Sequence, residues 1–216
     1  MMLAEDIENI MQILHTRYGS LPDTELKYEN NYQLLIAIML SAQSTDKQVN
    51  KITPKLFSYI QNPQDAVRLG VKKINDMIKS VNYHNTKAKN IVLMSKKLLQ
   101  EYNSMVPNDF DKLVSLNGVG RKTANVIQSV VFQKAAMAVD THVFRVSHRI
   151  GLVPDSCRTP LSVERMLTKY FPKEIIPLAH HWLILHGRYV CTARSPKCEE
   201  CGILHICARK FGEFKK

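Results

Sequence analysis

The sequence has no apolar run long enough to cross a membrane. Its longest strictly apolar stretch, Leu34 to Leu40, is seven residues, against about 20 for a spanning helix. Alternating strands bounded by hairpin turns are essentially missing, which argues against a β fold. There is no repeat period and no low-complexity stretch, so neither a solenoid nor a disordered tract is expected. The N-terminus, Met1 to Leu14, lacks the basic head of a secretory or mitochondrial leader and carries acidic residues instead. Acidic residues are otherwise scarce: 19 Asp and Glu face 30 Lys and Arg among 216 residues, a net charge of +11. Together these absences predict a soluble intracellular chain.

What is present is ordinary for a folded protein: 45% apolar and 23% charged residues, too apolar for a disordered chain. The length allows one large or two small domains. The charge is uneven. Residues 1–30 hold Arg17 and Lys27 against six acidic residues, so the other 186 residues carry +15. Such an excess points to a polyanion, most often nucleic acid, or to a solvated lysine-rich surface.

Helical periodicity dominates. Ile7, Ile10, Met11 and Leu14 share one helix face, as do Ile91, Met94 and Leu98 in a segment that also carries Lys87, Lys89, Lys96 and Lys97. Thr159-Pro160 reads as a cap followed by proline at the first helical position, opening a helix toward Tyr170. Ile175 to Val190 reads as another helix despite Pro177. The expectation is an all-α protein of about ten helices. Breaks fall at Gly19–Pro22 and near Gln133–Ala136.

Four of the five cysteines, Cys191, Cys198, Cys201 and Cys207, form C-x6-C-x2-C-x5-C. Thiolates this dense need a soft metal centre to offset their charge. Disulfides do not suit a reducing compartment. Zinc sites usually show two short cysteine pairs, and only one C-x2-C is present. An iron–sulfur cluster accepts four thiolates at irregular spacing. Spacing alone leaves zinc and iron–sulfur both open. Cys157 stands apart and reads as a small packed residue.

The sharpest local motif is Leu113-Val114-Ser115-Leu116-Asn117-Gly118-Val119-Gly120-Arg121-Lys122-Thr123-Ala124. It reads as helix, tight turn, helix, with Gly118 and Gly120 permitting positive φ and close backbone approach. The second helix starts just after Gly120, so its free amides and positive dipole end suit a phosphate. The alternative is an ordinary helical corner that uses glycine to turn. Lys122 falls in the first helical turn, where the dipole disfavours a cation and so favours the neutral amine of a nucleophile. It could equally stay charged and contact phosphate. Asp140 precedes Thr141–Ile150 and is a good N-cap, a position that can also present a carboxylate.

The order of motifs is that of a known family. L-L-I-A-I-M-L-S-A-Q-S-T-D at Leu34–Asp46, the hairpin L-N-G-V-G-R-K-T-A-N-V, V-D-T-H-V-F-R, H-H-W-L-I-L-H-G-R-Y and the four-cysteine segment follow one another. Together they resemble endonuclease III, the helix-hairpin-helix DNA glycosylase with abasic-site lyase activity, from about Asp23 to Cys207. The resemblance implies a six-helix barrel domain over 23–134 with the hairpin, and a discontinuous iron–sulfur cluster domain of 1–22 and 135–216. It implies that Cys191, Cys198, Cys201 and Cys207 hold a [4Fe–4S] cluster. It also implies that Lys122 is the nucleophile, with Asp140 helping to deprotonate it and to stabilise a cationic sugar.

The implied substrates are oxidised pyrimidines in damaged double-stranded DNA. The base is flipped out, and the strand is cleaved by β-elimination through a lysine Schiff base. Gln43 matches the residue that fills the vacated space, and Glu25 and Asp46 match acidic positions near the pocket. The chain departs from the pattern in Val81-Asn82-Tyr83-His84-Asn85, where the family often places a leucine wedge. Tyr83 stands at that position here, and it or His84 would stack instead. Gly118, Gly120, Arg121, Arg145, Arg149, Arg188, Arg194 and Lys197 are the further candidates for DNA contact. The protein is expected to act as a cytoplasmic, nucleoid-associated monomer without a membrane partner. The related adenine-mismatch glycosylase reading is disfavoured because it would lack a lysine at position 122. A non-catalytic, redox-sensing DNA-binding protein is the alternative of a different class. His180, His181 and His186 are expected to serve packing and hydrogen bonding rather than a metal.

Overall fold

The computed structural model describes residues 2–19 and 24–208. Ten α-helices occur there: α1 (Ala4–Tyr18), α2 (Asn31–Ser41), α3 (Asp46–Phe57), α4 (Pro63–Met77), α5 (His84–Glu101), α6 (Phe110–Val114), α7 (Arg121–Val130), α8 (Thr141–Ile150), α9 (Pro160–Tyr170) and α10 (Ile176–Tyr189). A 3₁₀ turn at Cys198–Glu200 completes them, and no strand occurs among the described residues. The fold is all-α, as the periodicity indicates. No helix among the described residues is long and apolar enough to cross a membrane. Beyond Gly19, the expected break at Gly19–Pro22 lies outside the described residues.

The chain divides into two compact units, one of Thr24–Phe132 and one of Met1–Asp23 with Gln133–Lys216. The first holds α2 to α7 around α2. Every residue of α2 from Tyr32 to Leu40 is buried. A helix apolar all round can only be a core helix, which explains the seven-residue apolar run. Around it α4 and α5 pack together, with Ile74 of α4 and Ile91, Met94 and Leu98 of α5 in the same core. Side chains satisfy the orphan amides at several helix starts: Asn30 for α2, Thr45 for α3, Asn62 for α4 and Asp109 for α6. Within α4 the backbone breaks at Gly70, with φ of +77°, so this helix is two pieces joined at a kink.

The second unit packs α1 and α8 against α10. Ile7, Ile10 and Leu14 of α1, Val143 and Val146 of α8, and Trp182 and Leu183 of α10 form its core. The Trp182 indole Nε1 donates to the Gly19 carbonyl at 2.8 Å, tying the end of α1 to α10. α9 opens as its sequence indicates, on a reciprocal cap between Thr159 and Ser162 with Pro160 at the first position.

The buried position of α2 makes a direct prediction. Ile36 is wholly buried and Tyr59 is 53% exposed. Ile36→Ala should lower the unfolding free energy by about 2–5 kcal/mol in a urea titration, and Tyr59→Ala should stay within about 0.5 kcal/mol of the parent. Equal effects would remove α2 from the core.

Candidate active site and cysteine cavity

The hairpin forms where the glycines stand. α6 ends at Val114, and the turn closes when the Val119 amide donates to the Leu116 carbonyl at 3.1 Å. Gly118 has φ of +79°, and a Cβ there would lie 2.7 Å from Met39 Cε and 2.9 Å from Asn90 Cβ. It is glycine for conformation and for space. Gly120 differs from expectation: its φ is −93°, ordinary extended backbone, and a Cβ would meet nothing within 4 Å. Positive φ therefore accounts for Gly118 alone. As the N-cap of α7, Gly120 supplies no side chain, and the first amides of that helix have no side-chain cap. The Arg121 guanidinium lies 4.8 Å from the Phe110 ring centroid, so it braces α6 against α7. Lys122 is the second residue of α7 and is exposed.

Asp140 is the N-cap of α8. Its Oδ1 accepts from the amides of His142 and Val143, both at 2.8 Å. One carboxylate oxygen caps the helix, and no hydrogen bond to Oδ2 is present among the described residues.

Gln43 and Tyr83 lie on loops that touch. Both are exposed, and both hold left-handed backbone, with φ of +57° and +56°. His84 is turned away, its Nδ1 2.7 Å from Asn75 Oδ1. Asn50, on the same helix as Asp46, donates from Nδ2 to the Glu25 carbonyl at 2.7 Å. This brings the segment of Glu25 to α3. Glu25 is exposed, and Asp46, the first residue of α3, is half-buried.

All four C-terminal cysteines line one small cavity, together with Arg149, His186 and Lys197. All five cysteines are free thiols, and Cys157 is buried apart from the four. Arg149 holds the loop by donating to the carbonyls of Thr192 at 2.6 Å and Ala193 at 2.7 Å, and to Cys191 Sγ at 3.8 Å. Burial, helped by the Arg17 charge, pushes His186 down to about 4, so the ring is neutral at pH 7. A neutral ring has one N–H. The arrangement serving both neighbours has Nδ1 accept from the Tyr18 hydroxyl at 3.2 Å and Nε2 donate to Cys201 Sγ at 3.6 Å.

Arg145, an expected DNA contact, is half-buried and donates from Nη2 to the carbonyls of Gly187 at 2.8 Å and Cys191 at 3.2 Å. It clamps α8 to the end of α10. Arg194 is exposed, and Lys197, also exposed, pairs with Glu200 at 3.8 Å. Sequence reading counts Arg149 among the candidate phosphate contacts, names Asn82 only as part of its loop and places Lys87 only within a lysine-rich segment; none of the three is read as bonding the carbonyls it bonds here.

The family profile described as HhH-GPD superfamily base excision DNA repair protein matches residues 36–173, and the iron–sulfur binding domain of endonuclease III matches 191–207. The chain is 46% identical to endonuclease III of Rickettsia conorii, over 97% of this chain and 99% of that protein. It is 45% identical to endonuclease III of Bacillus subtilis, over 90% and 88%. Among solved structures, a trapped covalent intermediate of endonuclease III with DNA matches with a TM-score of 0.91 at 41% identity, covering 97% of each chain.

The chain belongs to the endonuclease III family. As a member of that family it is a base excision repair enzyme, a DNA glycosylase with abasic-site lyase activity. It carries a [4Fe–4S] cluster.

The cysteine cavity fits that group. Among the described residues no three His, Cys, Asp or Glu side chains are gathered so as to hold a metal ion, yet four thiols line one cavity. Thiols spread around a cavity suit a cluster of several irons better than one zinc ion, which draws its ligands to about 2.3 Å.

The two glycines of this endonuclease III hairpin separate by experiment. Gly118→Ala forces a left-handed alanine and a steric overlap, so it should cost about 1–2 kcal/mol or more in thermal or urea unfolding. Gly120→Ala should leave stability nearly unchanged and weaken DNA binding, measured by fluorescence anisotropy. Unchanged affinity would show that nothing approaches the start of α7.

Proposed function

We propose that this enzyme excises oxidised pyrimidines from double-stranded DNA, with Lys122 as nucleophile and Asp140 as its carboxylate partner. The observation that carries the reading is the hairpin, which puts an exposed lysine one residue into a helix whose first amides lack a side-chain cap. Those amides bind a backbone phosphate without reading sequence. The lesion nucleotide is flipped out of the stack. Gln43 fills the space it leaves, and Tyr83 stacks against the opened duplex. His84 is already engaged with Asn75, which favours Tyr83 as the wedge. Glu25 and Asp46 supply carboxylates at the base pocket.

The Lys122 amine attacks the sugar C1′ while the glycosidic bond breaks, its electron pair leaving with the base. Asp140 accepts a proton from the attacking amine and offsets positive charge on the sugar. The Oδ2 atom performs this while Oδ1 keeps the cap. Opening of the sugar ring gives a Schiff base. Loss of a C2′ proton then expels the 3′ phosphate by β-elimination. A covalent endonuclease III–DNA intermediate in a similar structure supports an enzyme nucleophile. Water as the attacking group would leave no such bond.

Cys191, Cys198, Cys201 and Cys207 hold the cluster as thiolates. When bound, it supplies a rigid cross-link, joining the end of α10 to the loop that carries Arg194 and Lys197. That loop contacts phosphates through Arg194 and Lys197. The enzyme works as a monomer in the cytoplasm, on the nucleoid.

Borohydride reduction with an oligonucleotide carrying thymine glycol or an abasic site should trap a covalent adduct, lost in Lys122→Ala. No adduct with either lesion would overturn the lysine assignment. Asp140→Asn keeps a capping side chain and removes the charge. It should melt near the parent and lose about 10²-fold or more in single-turnover base release. Loss of stability with intact chemistry would make Asp140 a cap only. The purified protein should be brown, with iron and sulfide in equal amounts. Substitution of any of the four cysteines by alanine should diminish both. A colourless protein with stoichiometric zinc would refute the cluster ligands.

A further inference from the structure

We propose that Asn82 and Lys87 are positioning residues that latch Gln43 to Tyr83, so that the two enter the duplex as one piece. The inference rests on the reading that Gln43 and Tyr83 penetrate DNA. Neither residue can hold its conformation unaided. Left-handed backbone costs free energy for any residue with a Cβ, and it persists only where neighbours enforce it.

The enforcement is visible peptide by peptide. The backbone angles of Gln43 are set by the orientation of the two peptide groups that flank it. The peptide before it has its carbonyl on Ala42, and this oxygen accepts from Lys87 Nζ at 2.7 Å. The peptide after it has its carbonyl on Gln43, and this oxygen accepts from Asn82 Nδ2 at 2.6 Å. Each plane is therefore held by one donor, Lys87 from the first turn of α5 and Asn82 from the loop before that helix. The Asn82 amide also donates to Ser44 Oγ at 3.2 Å, and Gln48 Nε2 donates to Ser80 Oγ at 2.7 Å.

The same donors fix Tyr83. Asn82 immediately precedes it, held at both its amide and its side chain. Tyr83 is the N-cap of α5, and its carbonyl accepts from the Lys87 backbone amide at 3.0 Å. Lys87 thus bonds both loops, one through its backbone and the other through its ammonium. That ammonium also takes the Leu40 carbonyl at 2.8 Å, at the end of α2. Lys87 is 7% exposed and makes no ion pair among the described residues. A buried cation without a carboxylate is costly. Burial accordingly pulls its pKa below the usual lysine value. Its partners are three carbonyls, all at the ends of the elements that carry Gln43 and Tyr83. A displacement of either loop must pass through these bonds, which makes the two probes mechanically one.

The test uses the full-length, cluster-loaded protein and a lesion duplex with 2-aminopurine beside the damaged base. Its fluorescence reports opening of the stack. Asn82 is exposed, so Asn82→Ala should fold like the parent. It should slow opening about three- to tenfold, the worth of a neutral hydrogen bond. Lys87→Met should slow it about ten- to a hundredfold, the worth of charge-assisted bonds. On a single-stranded abasic oligonucleotide, which needs no opening, borohydride trapping by Asn82→Ala should match the parent. A merely structural defect would lower both readouts. In a Gln43→Ala background Asn82→Ala should have little further effect on opening, since the held group is gone. Unchanged opening in Asn82→Ala, or full additivity with Gln43→Ala, overturns the latch. Unchanged opening in Gln43→Ala alone overturns the latch together with the reading that Gln43 enters DNA, a result distinct from failure of the latch by itself.

Discussion

The first amides of an α-helix have no partner within the helix, and something else must satisfy them. This constraint organises the unit of residues 24–132. Four of its six helices close their starts with a side chain, from Asn30, Thr45, Asn62 or Asp109. The other two begin on Tyr83 and Gly120 and have no such cap. They are also the helices that carry the proposed wedge and the proposed nucleophile. Leaving those amides uncapped costs stability of the order of 1 kcal/mol each. The expense is repaid if phosphate oxygens complete the helix on binding, with the dipole adding to the attraction.

What could be read from the sequence follows from how local each signal is. The start of α8 on Asp140 and the start of α9 on Thr159-Pro160 are coded within four residues, and both form as read. The core faces of α1 and α5 come from spacing alone, and Ile7, Ile10, Leu14, Ile91, Met94 and Leu98 are all buried. The cysteine segment is legible because four soft ligands so close together have few other uses. The residues whose contacts are least legible are those with distant partners. Arg145 looks like a surface cation because nothing near it in sequence shows that it will meet carbonyls 42 and 46 residues away. Lys87 sits among exposed lysines and differs from them only through Leu40 and Ala42, more than 40 residues back. Gly120 was misassigned for a subtler reason. Glycine is chosen for positive φ, for tight packing or for an open approach, and one letter does not distinguish these. Gly118 illustrates the first two and Gly120 the third.

The two arginines of α8 explain how a short, metal-held loop is kept ready for its cluster. The 17 residues from Cys191 to Cys207 contribute only Cys191 and Ile203 to the fully buried set, so packing alone cannot fix their path. Arg145 and Arg149 instead pin the carbonyls of Cys191, Thr192 and Ala193, and Arg17 donates to the Glu200 carbonyl at 3.0 Å. A guanidinium suits this task because its donors are many, planar and permanently charged. Both arginines of α8 are thereby engaged in clamping the cysteine loop.

These contacts change the meaning of the net charge of +11. Part of the basic excess is engaged within the protein: Arg145 and Arg149 hold the cysteine loop, Lys87 holds the loop of Gln43, and Arg121 is braced on Phe110. At the hairpin, the groups proposed to bind anions are mainly backbone amides. Amides are dipoles, so they release no counterions and add little to the dependence on salt. Flexible surface lysines do release them. Nonspecific search and lesion engagement should then differ in their response to ionic strength. The first relies on mobile charge and is readily screened. The second relies on amides and on side chains locked in place, which the same salt leaves largely intact.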